Sequence, residues 1–514
     1  MALVPLLVRV EWRNNGGGVW EVVARDSNSC GVAGEAKYRR SADDGLVWGV
    51  VLVPLVVMAS ELAHISDGSD TDGALSVLSR ADLRSASIAM GLRLALSAVA
   101  RDTRSMRLPA VLVGWIVSVF VLGYAALDRS SHGLACIGAW IWRSCVYMGA
   151  AEAQQMLLAS ATTGIPHSFT LGEASVITQG VVLVAVDLAG KLVQRAIAVD
   201  GVENMETLFL EATVLGLVLL VRMLASMRGE GSREHATQAC VAAVCLCGML
   251  SLAVVAYVSD ANPAGWALKT ALGSWTSISV CIYWAALLCC TLLVYTVATN
   301  SSQTAAIPQS SKLVLHLKRK AYHVLAVLMF VPGYLLSPQL QHFAFAVALV
   351  VFVAAECVRA LDVMPWSQAI DGFVRKFTDY RDDGAIVTSH FYLLLGCAVP
   401  VWLGGPSAVA CLAGVLALGL ADTAASLVGM SVGRVRWPGT AKTVEGTVGF
   451  IVCLAAAALA VDVMAQQPDQ PAAADVMAQQ PEQPAAAAAH IVLCAVLGVV
   501  EALTEQNDNM VIPL

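Results

Sequence analysis

Charge is what this sequence has least of. Asp, Glu, Lys and Arg together make up 13% of its 514 residues, while 58% are hydrophobic and the mean hydropathy is +0.70. So little charge excludes a soluble globular protein of this length and points to a membrane as the solvent. Zinc-like cysteine spacing is also missing. The 14 cysteines contain no CxxC pair and lie mostly inside apolar runs, as at Cys245, Cys247, Cys289, Cys290, Cys411 and Cys453, where they read as small hydrophobes. The first 45 residues lack the compact apolar core and small-residue cleavage site of a signal peptide, so the first span is expected to direct insertion, and the basic ends at Arg101, Arg104 and Arg107 and at Arg222, Arg228 and Arg233 make 1–45 an expected cytosolic segment. Nor is there a GxxxxGK[ST] loop, and Gly439-Thr440-Ala441-Lys442-Thr443 does not fit its spacing. Any nucleotide chemistry must use another scaffold.

What is there is a succession of apolar stretches about as long as the roughly 20 residues that an α-helix needs to cross a bilayer. The fold class expected is all-α, a polytopic integral membrane protein of about 13–14 transmembrane helices. The spans fall near 46–63, 84–100, 108–127, 134–151, 173–190, 206–226, 236–257, 275–297, 321–337, 342–360, 389–403, 407–428, 447–461 and 488–503. They divide into an N-terminal transmembrane region, 46–298, and a C-terminal region, 299–514, that carries the chemistry.

From Thr299 onward the chain holds eleven Lys and Arg residues, and every one falls on alternate connections. The intervening ones hold none, which places the basic loops in the cytosol and the repeat DVMAQQPDQPAAA/DVMAQQPEQPAAA at 462–487 in the lumen, as a loop without chemistry. In the N-terminal half Lys191, Arg195 and Lys269 fall on the wrong side of this rule. The net charge of −7 neither supports nor excludes a nucleotide, and no nucleic-acid partner is expected.

The most informative stretch is LADTAASLVGMSVGRVRWPGTAKTVEGT, Leu420 to Thr447. On a helix Asp422, Ser426, Gly429 and Gly433 share one stripe, which allows close approach, either of a neighbouring helix through GxxxG or of a ligand. Arg434, Arg436 and Lys442 surround a Trp437-Pro438-Gly439-Thr440 turn, and Thr443 is placed to cap the next span with Glu445 in its first turn. Cations, a glycine turn and a helix N-terminus suit a polyphosphate, and Asp422 and Glu445 are candidates to hold Mg²⁺. Elsewhere, His316, Arg319, Lys320 and His323 read as a snorkelling basic face, and Glu356 with Arg359 as an i,i+3 ion pair. Thr170-x-x-Glu173 reads as a capping box, and Asp187 as an intramembrane carboxylate facing a polar cavity.

The 422–447 stretch resembles the nucleotide segment of the dolichol kinase family, in which an Asp-Thr helix, Trp-Pro-Gly-Thr and Lys-Thr-x-Glu-Gly-Thr follow in order. Similar matches occur at RDDGAIVTSHFYLLLGCAVPVWL (381–403), at 319–323, at FTLGEASVITQG (169–180) and at EALTEQNDNMVIPL (501–514). The resemblance departs at Ala441, where a lysine is expected, and at Tyr380, where an acid is expected. It implies an endoplasmic reticulum membrane enzyme with cytosolic active-site loops that moves the γ-phosphate of CTP to dolichol, with a divalent cation. Ser431, Gly433, Arg434, Arg436, Trp437, Pro438, Gly439, Thr440, Lys442, Thr443, Glu445 and Gly446 would then contact CTP, and Asp422, Lys442, Asp382 and Asp508 would be catalytic, with the choice of base among Asp422, Asp382 and Asp508 open. Phosphatidate cytidylyltransferases and the phytol and farnesol kinases share part of the pattern. The Gly-Asp-Leu…Lys-Arg motif of the former is missing after Gly446. A transporter or scaffold with intramembrane charges at Arg93, Arg143 and Asp187 is the reading from another class.

Overall fold

The computed structural model describes residues 46–66, 80–102, 134–165, 167–196, 205–226, 233–302, 312–363, 365–375, 378, 384–405, 407–438, 440, 442–466 and 484–504. The expected N-terminal segment 1–45 and the span 108–127 lie outside them. The helices are α1 (Leu46–Ser66), α2 (Arg80–Asp102), α3 (Leu134–Gly164), α4 (Leu171–Ala196), α5 (Met205–Ser226), α6 (Arg233–Ser259), α7 (Pro263–Leu272) and α8 (Trp275–Ser302). They continue with α9 (Lys312–Leu336), α10 (Pro338–Ala360), α11 (Trp366–Val374), α12 (Ser389–Leu403), α13 (Ala408–Leu416), a π turn (Ala417–Ala421), α14 (Asp422–Val432), α15 (Val444–Ala465) and α16 (Pro484–Leu503). The other thirteen expected spans all coincide with helices, and the described residues contain no strand beyond one isolated bridge.

The protein is an all-α, polytopic membrane protein. Among the described residues six helices are long and apolar enough to cross a bilayer: Leu171–Ala196, Thr237–Ser259, Trp275–Val294, Pro338–Ala360, Ala408–Val432 and Val444–Ala465. Three apolar helices are shorter, Trp48–Met58, Ser389–Leu403 and Val492–Leu503. The short helices α7 and α11 were not expected. Asn262 starts α7 by accepting N–H bonds from Ala264 (3.1 Å) and Gly265 (3.2 Å), with Pro263 at the first position. The repeat is not wholly a loop, because α15 runs through Ala465 and α16 begins at Pro484. Its remaining residues, 467–483, lie outside the described ones.

The main core is built from α9, α10 and α12 to α16, around Phe345, Leu412, Leu416, Leu418, Phe450 and Leu454. Close helix approach depends on glycine. A Cβ at Gly414 would collide with the carbonyl of Gly396 on α12, so only glycine permits that crossing. The N-terminal helices α1 and α4 share a polar seam, where Gln179 donates to the Gly49 carbonyl at 2.6 Å and to Ser175 Oγ at 2.8 Å. The twelve cysteines with described side chains are all free; Cys240, Cys247, Cys397, Cys411 and Cys494 are buried as small hydrophobes, whereas Cys145, Cys245, Cys289 and Cys290 are exposed on their helices.

Charges in and beside these helices form ion pairs. Lys191 bridges Asp187 (3.1 Å) and the buried Glu211 (2.8 Å), Arg195 pairs with Asp260 (3.3 Å), and Arg93 pairs with Glu152 (3.2 Å). Two of the three cations that broke the charge rule, Lys191 and Arg195, are therefore neutralised by carboxylates. Asp187 faces a lysine instead of a cavity, and the side chain of Arg143 lies outside the described residues.

Candidate functional site

The site is organised by the π turn in the rod Ala408–Val432. One extra residue in that turn changes the helical phase, and such insertions gather at functional positions. Gly419 within it allows α9 to come close, since a Cβ there would meet Val327 and the His323 carbonyl (3.1 Å). Two side chains of α9 consequently turn inward. Lys320 Nζ lies 2.5 Å from Asp422 Oδ2, and His323 Nδ1 lies 3.5 Å from the same oxygen and 2.9 Å from the Leu418 carbonyl. The Lys320 and Asp422 side chains are 12% and 7% exposed, which makes this a buried ion pair. Lys320 and His323 thus do not form the snorkelling face expected of them. An intramembrane Asp requires a partner, and their spacing of three residues, one helical face, was the available signal.

Beyond α14 the chain folds into a short hairpin. Arg436 and Thr443 form the isolated bridge, Val444 N–H donates to the Val435 carbonyl (2.8 Å) and Trp437 N–H to that of Lys442 (3.0 Å). Thr443 caps α15 as expected, its Oγ1 accepting from Gly446 N–H at 3.1 Å. The indole of Trp437 donates to Thr447 Oγ1 at 2.9 Å, so the aromatic ring locks the turn onto α15. Thr440 Oγ1 accepts from Lys442 N–H at 3.2 Å. Arg434, Arg436 and Pro438 are exposed, and Gly439 lies outside the described residues.

The glycines meet one another. A Cβ on Gly446 would lie 2.9 Å from the Ala425 carbonyl and 3.5 Å from Gly429 Cα, and one on Gly433 would lie 2.8 Å from Thr443 Oγ1. Gly429, Gly433 and Gly446 are therefore the seam between α14 and α15, the helix-packing use of GxxxG. Ser431 is exposed and bonds its own helix, at Leu427 O (2.8 Å).

Lys442 is held from the far end of the region. Its Nζ contacts Glu501 Oε1 at 2.8 Å and the Glu501 carbonyl at 2.5 Å, bringing α16 to the hairpin. It also lies near enough to act electrostatically on Asp422. Both oxygens of Glu445 accept from Val435 N–H, at 3.1 and 3.2 Å. The two carboxylates named for a metal thus engage different partners, and no cluster of three metal-binding side chains exists among the described residues. Mg²⁺ commonly needs one or two carboxylates beside phosphate oxygens, and Glu445, which bonds main-chain N–H groups and not a buried lysine, fits that role better than Asp422. Beside the hairpin an apolar groove of about 440 Å³ runs between α14 and α15, lined by Val428, Val435, Val444, Val448, Gly449 and Val452, with Glu445 its one ionisable group.

A second cluster gathers the other motifs. Glu356 accepts from two Arg359 nitrogens, Nη2 (2.6 Å) and Nε (2.9 Å), and from Val387 N–H (2.8 Å), so the expected ion pair also pins the segment after Asp383. Arg359 reaches Asp371 on α11, whose carboxyl is held below its usual range by a hydrogen bond from Arg375 and further by Arg359. Ser168 Oγ accepts from Ile386 N–H (3.2 Å). The capping box is present, Glu173 accepting from Thr170 N–H (3.1 Å) and Thr170 Oγ1 from Glu173 N–H (3.2 Å), and Glu173 also accepts from Tyr392 OH (3.1 Å). Asp382 and Asp508 lie outside the described residues.

Comparison with known proteins gives a consistent result. A family model described as dolichol kinase matches residues 156–479. Dolichol kinase EVAN of Arabidopsis thaliana is 31% identical over 523 residues, covering 93% of this chain and 87% of that protein. Human dolichol kinase is 32% identical over 305 residues, 56% of this chain and 55% of its own. The Schizosaccharomyces pombe dolichol kinase sec59 is 36% identical over 185 residues, 35% of this chain and 37% of its own. No solved structure matches.

Proposed function

The chain belongs to the dolichol kinase family, and from that premise we propose that it transfers the γ-phosphoryl group of CTP to the terminal hydroxyl of dolichol at the cytosolic face of the endoplasmic reticulum. The observation that carries the nucleotide part is the convergence of the 433–443 hairpin with two lysines, Lys320 and Lys442, each seated on a buried carboxylate. Phosphoryl transfer asks little of a protein beyond positioning and charge neutralisation. Here the exposed Arg434 and Arg436 attract the polyphosphate, the N-terminus of α15 offers its dipole, and Lys442 neutralises charge as CDP departs.

Mg²⁺, when bound, neutralises phosphate charge, with Glu445 as its protein ligand. The apolar groove at Val448 and Val452 suits an isoprenoid chain whose hydroxyl end stops near Glu445. Asp422 acts by fixing Lys320, which leaves Asp382 and Asp508 as the proposed acceptors of the hydroxyl proton. Membranes containing this protein, supplied with dolichol and Mg²⁺, are expected to yield labelled lipid from CTP radiolabelled at the γ-phosphorus and none from CTP labelled at the α-phosphorus. Label from the α position alone would instead demonstrate cytidylyl transfer.

A further inference from the structure

We infer that Glu501 is a positioning residue for Lys442, so that the last described helix completes the nucleotide hairpin. This rests on reading the 433–443 hairpin as the CTP site. A lysine on a loop has four rotatable bonds and no reason to hold its ammonium in one place. Glu501 supplies one. Its side chain is 7% exposed, and it presents both a carboxylate oxygen and a main-chain carbonyl to the same Nζ, at 2.8 and 2.5 Å. That carbonyl belongs to the last turn of α16, where carbonyls lack intrahelical donors and the helix dipole favours a cation.

The anchor itself is rigid. A Cβ on Gly498 would lie 2.7 Å from Ile451 Cγ1 and 3.5 Å from Thr447 Cγ2, so α16 is pressed against the first turns of α15. Thr447 in turn accepts the Trp437 indole, and Ala502 and Thr504 are buried. Glu501, Thr447, Trp437 and Lys442 therefore form one block, although 59 residues separate Lys442 from Glu501. The competing account is that Lys442 only caps α16 and never touches phosphate.

Equilibrium binding of radiolabelled CTP to the purified full-length protein in detergent separates the two. Glu501→Gln and Lys442→Ala are each expected to weaken binding about tenfold, as loss of an aligned charge-assisted contact does. The double variant should bind no more weakly than Lys442→Ala, because Glu501 acts through Lys442. In turnover, Glu501→Gln should raise KM for CTP and leave KM for dolichol unchanged. Losses that multiply to about a hundredfold, or a Glu501→Gln protein that binds CTP like the wild type, would overturn the inference. Should Glu501→Gln fail to fold, Glu501→Asp carries the test: it keeps the charge but retracts it, and unchanged CTP affinity would again overturn the proposal. Wild-type protein that phosphorylates dolichol without binding CTP would sink the nucleotide reading and this inference together, and that result is visible before any substitution.

Discussion

Removing the ammonium of Lys320 strands the carboxylate of Asp422 in a place with little water to solvate it, since that side chain is 7% exposed. Lys320→Met is therefore expected to destabilise the detergent-solubilised protein by about 3 kcal/mol and to abolish dolichol phosphorylation. The Lys320→Met/Asp422→Leu double variant should regain stability without activity. A melting temperature for Lys320→Met equal to the wild type would contradict the burial of this pair. The sequence marked Asp422 as a candidate metal ligand and did not point to Lys320 as its partner, because the positive-inside bias crowds eleven cations onto one side of the C-terminal region. Arg434 and Arg436 are nearer in sequence but exposed, and Lys442 reaches across to Glu501. Thr443 as a cap and Thr170 with Glu173 as a capping box were legible because both depend on neighbours within a few residues. The contacts that unite distant motifs were not.

At the scale of elements, apolar runs and their breaks were enough to locate the helices, whereas the π turn left no trace. One added residue in the run LAGVLALGLAD changes the phase of the helix but not its composition. The small helices α7 and α11 escaped for another reason: at ten and nine residues they are too short to register as spans. The glycine seam offers a graded test. A methyl at Gly446 would press on the main-chain carbonyl of Ala425 at 2.9 Å, which cannot move alone, while one at Gly429 meets only the Thr443 hydroxyl at 3.0 Å and Gly446 Cα at 3.9 Å. Gly446→Ala should therefore cost about 1–3 kcal/mol and lower activity more than Gly429→Ala, measured by thermal unfolding and turnover. The reverse order would show that the seam is not tightly packed.

Across the whole molecule, one ion pair joins Lys320 to Asp422 and another Lys442 to Glu501, while Gln339 bonds Glu206 (2.5 Å) and Ser277 bonds Ser337 (3.2 Å) at other helix ends. In sealed microsomes, on a cysteine-free background, a cysteine at Thr440 should react with an impermeant reagent from outside and one at Gln466 only after permeabilisation. Labelling of position 466 in intact vesicles would reverse the proposed sidedness. The bond from Tyr392 to Glu173 adds a constraint of a different kind, because it joins residues 219 positions apart. At synthesis rates of about 5–20 residues per second, α4 is made on the order of 10–40 seconds before its partner. During that interval Glu173 has its local cap but not the phenol that accompanies it in the finished fold, so completion of this buried contact must wait for translation of the C-terminal region.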